Sequence, residues 1–190
     1  KDWEGNPLKG PVSGYPAPEL GPEDYNNYEF APSRIILWVA NQQHLYFGSF
    51  VLAVPIFCML IEFIGIRVRD EDPVMSGKYD RLAKDLMKVS LTAYSWTAIL
   101  GGILLFTFIT LFPGFFKYMA GIFRPVMHVY ALMFLAESGV LYVYYYGWDK
   151  MNDDIFLKWV HCSLSVLLNL IGTVLMYLAN SWATFMQAPG

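Results

Sequence analysis

Four apolar stretches, at about 45–66, 89–112, 126–145 and 156–178, leave this chain few ways to fold. Each has roughly the 20 residues an α-helix needs to cross the hydrocarbon layer of a bilayer. In hydrocarbon every backbone N–H and C=O must be paired within the segment, and a helix does that alone. A soluble bundle would have to bury four such runs under polar surface the chain lacks. Only 15% of its residues are charged and 56% are hydrophobic, whereas about a quarter are charged in an ordinary soluble domain. The expected fold is therefore all-α: an integral membrane four-helix up-down bundle over 33–190. Residues 1–32 are a different material, rich in Pro, Gly, Tyr and acid (PVSGYPAPELGPEDYNNYEFAP) and without apolar periodicity. They read as an irregular extramembrane arm that orders against a neighbouring subunit. The chain opens on Lys1 rather than Met, as expected where a leader has been removed or the chain is part of a longer one.

Orientation follows from Lys and Arg. The connection after the first run carries Arg67, Arg69, Lys78, Arg81, Lys84 and Lys88, against Lys117 and Arg124 in the second and Lys150 and Lys158 in the third. The basic side is cytoplasmic, so both termini are expected on the periplasmic side of a bacterial inner membrane. Trp38, Trp148, Trp159 and Trp182 fall near run ends, where an aromatic belt would sit. The segment SRIILWVANQQ reads as a short interfacial helix before the first span. Gly101, Gly102, Gly139 and Gly172 are expected at helix contacts.

Ionisable groups inside a bilayer are costly, so each is a candidate for function. His44 and His128 lie at the outer mouths of the first and third helices. Glu62 and His161 lie at one depth near the cytoplasmic side, about 25–30 Å from the outer pair at 1.5 Å per residue. Glu137 sits near the middle of the third helix. Spaced acids of this kind suit proton relay, and inward histidines of a bundle suit haem iron. His44 and Glu62 share a helix face, with Pro55 between them, and Asn169 and Asn180 share a face of the fourth helix. His128 and Glu137, nine residues apart, lie on opposite faces of the third unless Pro125 distorts it. Each also has a plainer reading: an interfacial histidine for His44 and His128, helix–helix hydrogen bonding for Glu62 and Glu137. No CxxCH occurs, so no c-type haem is attached covalently, and Cys58 and Cys162 read as small packing residues. The net charge of −3 gives nucleic acid no attraction.

Four pieces in order resemble the N-terminal four-helix part of subunit I of the cytochrome bd quinol oxidases. Ser33-Arg34 is followed by ten residues to His44 and eighteen more to Glu62. FLAESGVLYVYYYGWDKM at 134–151 is similar to the family's FLES…FFFGWDR stretch, and LANSW at 178–182 and the MQAPG ending complete the set. The resemblance implies that His44 ligates a haem near the outer face and that Glu137 is an acid on the proton route to it. It further implies that Asn180 belongs to that region and that Arg34 meets the haem propionates. The chain departs from the pattern as well. Val129 stands where the family has a second glutamate, with His128 beside it, and KMNDDIFLKW is a longer third connection than the family's. His161 resembles a family histidine, but its distance to Asn180 does not agree.

The leading expectation is a haem b-binding membrane subunit of a cytochrome bd-like electron-transfer complex. His44 would be its iron ligand and His128 a candidate for the second axial position. A proton path would run from Glu62 and His161 through Glu137 to the outer haem. Two alternatives remain: an oxygen-reducing quinol oxidase subunit carrying haem d, its second half on another chain, and a haem-less membrane anchor. Expected partners are other membrane subunits of a respiratory complex, a periplasmic c-type cytochrome, quinone and the lipid bilayer.

Overall fold

The computed structural model describes residue 26 and residues 28–187. Most of the arm and the last three residues of the MQAPG ending lie outside the described residues. Four helices fill almost all of the rest: α1 Ser33–Val68, α2 Pro73–Leu111, α3 Pro113–Asn152 and α4 Ile155–Gln187. All four are long and apolar enough to cross a membrane. Among the described residues there is no strand, only a single bridge between Tyr28 and Ala31.

The helices run well past their apolar cores. α2 has 39 residues, or about 58 Å of rise, against about 30 Å of hydrocarbon. Connections expected as loops are therefore mostly helix. Residues 73–88 are the first turns of α2, 113–125 are the first turns of α3, and SRIILWVANQQ opens α1 rather than forming a separate helix. Hydropathy marks where lipid begins, but a helix continues into water wherever its caps allow. Asp72 and Asp154 set two of the starts. The Asp72 carboxylate accepts the Met75 N–H at 2.9 Å just before Pro73. The Asp154 carboxylate accepts Phe156 N–H at 2.8 Å and Leu157 N–H at 3.0 Å. Both are N-caps satisfying donors that a helix start leaves orphaned.

By packing the chain forms two compact units. The first comprises Lys1–His44, Ile99–Leu132 and Met176–Gly190, and the second Leu45–Ala98 and Met133–Leu175. In the second, every consecutive pair of helices is antiparallel. Cys58 on α1 meets Ala83 on α2 while Gly48 meets Thr97. Tyr94 on α2 meets Ser138 on α3 while Lys84 meets Asp149. Glu137 on α3 meets Gly172 on α4 while Tyr144 meets His161. This is the up-down order that short connections force. The core of this unit gathers Val51, Val54, Cys58, Ala83, Met87, Tyr94, Leu141, Tyr144, Trp148 and Leu168. Glu62, Ser90, His161 and Ser165 are also fully buried here, whereas Phe57, Phe106, Leu132, Leu135 and Tyr177 are exposed. Polar groups inside and large apolar groups outside are what a lipid solvent selects.

Two expectations are corrected. Trp148 is a core residue, 1% exposed, and not part of an interfacial belt. Its indole is drawn inward by a hydrogen bond to Asp80. Trp38 and Trp159 are exposed as a belt requires, and the Trp182 side chain lies outside the described residues. Gly101 and Gly172 sit at close helix contacts, but Gly102 and Gly139 face open space, because adjacent positions on a helix point to different sides. The end of the arm engages the protein's own helices. Asn26 donates its backbone N–H to the Leu111 carbonyl at 2.8 Å and its side-chain amide to the Thr110 carbonyl at 2.6 Å. Those carbonyls are acceptors that the C-terminus of α2 cannot pair by itself.

Candidate functional site: a buried proton-holding cluster and a histidine on a glycine step

In the second unit, α1, α3 and α4 each turn one polar side chain into the core at one level. Glu62, Tyr144 and His161 are all 0% exposed. The Tyr144 hydroxyl donates to Glu62 Oε2 at 2.9 Å. His161 Nδ1 lies 2.5 Å from Glu62 Oε1, and the Lys158 ammonium lies 3.0 Å from the same oxygen. Lys158 also pairs with Asp80, which accepts the Trp148 indole N–H at 2.9 Å. Aromatic rings close the cluster: Tyr144 stacks on the imidazole at 4.3 Å between centroids and Trp148 meets it edge-on at 4.5 Å. The Lys158 ammonium sits 5.0 Å from the Trp148 ring centre, a cation–π contact.

The hydrogen bonds fix where protons sit. His161 Nε2 is 2.8 Å from the Tyr144 carbonyl oxygen. That oxygen only accepts, so Nε2 carries hydrogen. A single further proton then bridges Nδ1 and Glu62 Oε1. Whether it rests on the ring or on the acid, the pair is neutral overall, and Lys158 and Asp80 neutralise each other. The cluster thus holds Glu62, His161 and Lys158 buried and Asp80 partly buried at no net charge, the condition under which such groups are tolerated. One proton lies between His161 Nδ1 and Glu62 Oε1. A cavity of about 240 Å³ reaches Glu62 and Lys158 from the end of the unit that carries Arg69, Pro73, Gly77 and Asn152.

Glu137 lies elsewhere in the same unit and is 8% exposed. Gly172 of α4 makes its place. A Cβ there would lie 3.1 Å from Glu137 Oε1 and 2.9 Å from a methyl of Leu52.

His44 and His128 belong to the first unit. His44 is half-buried, with its ring lodged against Gly101 of α2. A Cβ on Gly101 would stand 2.9 Å from Cε1, closer than real Cβ atoms come, and 3.2 Å from Nδ1. His128 is exposed, and its Nδ1 is 2.8 Å from the Arg124 carbonyl. Nδ1 therefore donates this bond, since a carbonyl oxygen only accepts, and Nε2 takes no part in it. Arg34 and Asn180 are both exposed.

The match that decides the family covers residues 33–190 and is to the model of cytochrome bd terminal oxidase subunit I. The chain belongs to that family. No curated protein and no solved structure matches it. It is thus a multi-pass membrane subunit of the terminal-oxidase type, from a cytochrome bd family whose members carry haem and work among respiratory membrane partners. The donors present in this cytochrome bd chain suit that group. Haem iron takes axial imidazole nitrogen. His44 stands where a missing Cβ leaves the ring room, and His128 has the tautomer that a ligating histidine has when its other nitrogen donates to a carbonyl. Among the described residues no three His, Cys, Asp or Glu gather as a bare metal cage.

Sequence reasoning named Glu62 and His161 and put them at one depth, and the structure joins them. It overlooked Tyr144, Asp80 and Trp148. Tyr144 and Trp148 are four residues apart and Lys158 and His161 three apart, so each pair shares one face of its helix, α3 and α4 respectively. That signal was present, but the run of tyrosines around 144 hid which ring points inward.

Proposed function

We propose that this chain is the haem b-binding membrane subunit of a cytochrome bd-like electron-transfer complex. His44 would hold the haem iron, and Glu62, His161 and Glu137 would handle protons. Residues 1–32 form a periplasmic arm and 33–190 the bundle, with both termini periplasmic in a bacterial inner membrane. The observation that carries the haem assignment is the His44 imidazole on the Gly101 step, in a chain matched over 33–190.

Haem, when bound, supplies a one-electron carrier whose potential and ligand access the protein sets. The chain's own groups do the rest. His44 supplies the nitrogen ligand. His128 would offer a second imidazole nitrogen, Nε2, to the same group. Arg34 is suited to a propionate through its planar fork, and Asn180 contributes a polar group to the same site. Glu62 and His161 hold a proton at Oε1 and Nδ1 and pass it toward Glu137, which accepts and releases it. The electron partner is another membrane subunit, a periplasmic c-type cytochrome or a quinone.

An ultraviolet–visible spectrum of the purified complex tests this. A Soret band that His44→Ala abolishes is the expected result, and a complex whose spectrum ignores that substitution overturns the assignment. A low-spin haem turned high-spin by His128→Ala supports the paired histidines. A haem that is high-spin from the start, with a haem d band in the red, favours the second reading, an oxygen-reducing subunit, to which the terminal-oxidase family itself points. No Soret band at all leaves the membrane anchor.

A further inference from the structure

The turns that direct Glu62 and His161 inward present a groove on their outer side. It is lined by Met59, Leu60 and Phe63 of α1 and Trp159, Cys162 and Val166 of α4, with a volume of about 350 Å³. Its walls are almost wholly apolar. The neighbouring Ser163 hydroxyl is turned back onto the Trp159 carbonyl at 2.9 Å. All these residues lie within membrane-crossing helices. Trp159 meets the Phe63 ring edge-on at 6.0 Å, and the Arg67 guanidinium carbon lies 5.2 Å from the same ring's centre. Arg67 is one helical turn beyond Phe63, so it stands at the rim of the groove near the end of α1.

Arg67 is also a cation to spare. Lys84 is paired with Asp149, and Lys158 with Glu62 and Asp80. Arg69 donates to the Asp153 carbonyl at 3.4 Å. Among the described residues no carboxylate lies in ion-pair range of Arg67. An apolar groove at membrane depth, with an exposed guanidinium pre-oriented on an aromatic ring at its rim, is complementary to one chemistry. It needs a long apolar tail and a phosphate with negative charge left over.

We propose that the α1–α4 groove is a binding site for an anionic phospholipid, an acyl chain lying along Leu60, Phe63 and Val166 and the headgroup phosphate held by Arg67. Arg matches phosphate with two parallel donors. Anionic headgroups gather on the side of the membrane where basic residues collect, and Arg67 opens the most basic connection of the chain. A zwitterionic lipid offers the same tail, but its own ammonium cancels the attraction.

The test uses the intact complex reconstituted in phosphatidylcholine nanodiscs with and without phosphatidylglycerol, and native mass spectrometry to count retained lipid. Phosphatidylglycerol should be retained in preference to phosphatidylcholine. Arg67→Gln should lower that preference roughly fivefold, the scale of one basic residue at an anionic surface. Val166→Trp, which fills the groove, should remove retention of both lipids there. Lys78→Gln, an exposed cation on the same side but away from the groove, should leave the preference unchanged. Equal retention of the two lipids by the unaltered complex overturns the proposal, as does equal loss in Arg67→Gln and Lys78→Gln. A benzophenone side chain introduced at Leu60 should crosslink to phospholipid. If it crosslinks to a neighbouring protein subunit or to quinone instead, the groove belongs to that occupant and the proposal fails.

Discussion

Glu62 and Glu137 are carboxyl groups buried in the same packed unit, and their surroundings have almost nothing in common. Both oxygens of Glu62 are used: Oε1 by His161 and Lys158, Oε2 by Tyr144. Each partner is itself held, Lys158 by Asp80 and His161 by the Tyr144 carbonyl. Glu137 lies beside Gly172 of α4, where the missing Cβ leaves its carboxyl room. Among the described residues no cation pairs with it. The difference separates two ways a membrane protein keeps an acid inside. One is a closed, neutral network in which every charge has an answer and the geometry is rigid. The other is a lone acid in a space cleared by a missing side chain. A network stores a proton at a defined place, and a lone acid has freedom to change state.

The contrast can be broken most forcefully at the network. Glu62→Leu leaves Lys158 and His161 buried without their acceptor, and breaking such a buried pair costs about 3–5 kcal/mol. The complex should unfold in detergent at a clearly lower temperature or fail to assemble. An unchanged melting temperature would mean that the network is not what holds this end together.

Gly172→Val probes the other site. The new side chain would meet Leu52 closer than real Cβ atoms come and Glu137 in a tight contact, and overpacking of this kind costs about 1–3 kcal/mol. The same thermal measurement reads it, and no loss would show that the space at Glu137 is not tight.

Glu137→Gln sharpens the comparison. Nearly isosteric and without a salt bridge to break, it should cost less than about 1.5 kcal/mol, yet proton-coupled turnover should fall. Unchanged turnover together with an unchanged pH dependence of the haem potential would remove Glu137 from the proton route. The smallest effect is expected at Lys84→Ala. Its partner Asp149 is 82% exposed, and such surface pairs contribute about 0–1 kcal/mol. A large loss there would show that the inner end depends on more than its buried cluster.

The amino-acid sequence by itself determined that there are four helices, that they cross a membrane, and how far along its helix each ionisable group sits. These are local properties. A helix in hydrocarbon pairs its own backbone, so length and hydropathy specify it without reference to a neighbour. Rise per residue then converts sequence position into depth, which is why Glu62 and His161 were placed together correctly. The tertiary structure decided everything that depends on which face meets which. It turned Trp148 from an expected interfacial residue into a core residue, and it brought Tyr144 and Lys158 onto Glu62 from 82 and 96 positions away and Asp80 onto Lys158. It also left Gly102 and Gly139 facing open space while Gly101 and Gly172 face side chains. Periodicity says that two residues share a face, but the partner of that face comes from another helix and is not written locally. The helix ends were decided the same way. The overhangs at 73–88 and 113–125 are polar or mixed enough to pass for loops, yet both are helical, the first capped by the Asp72 side chain, which no hydropathy pattern records.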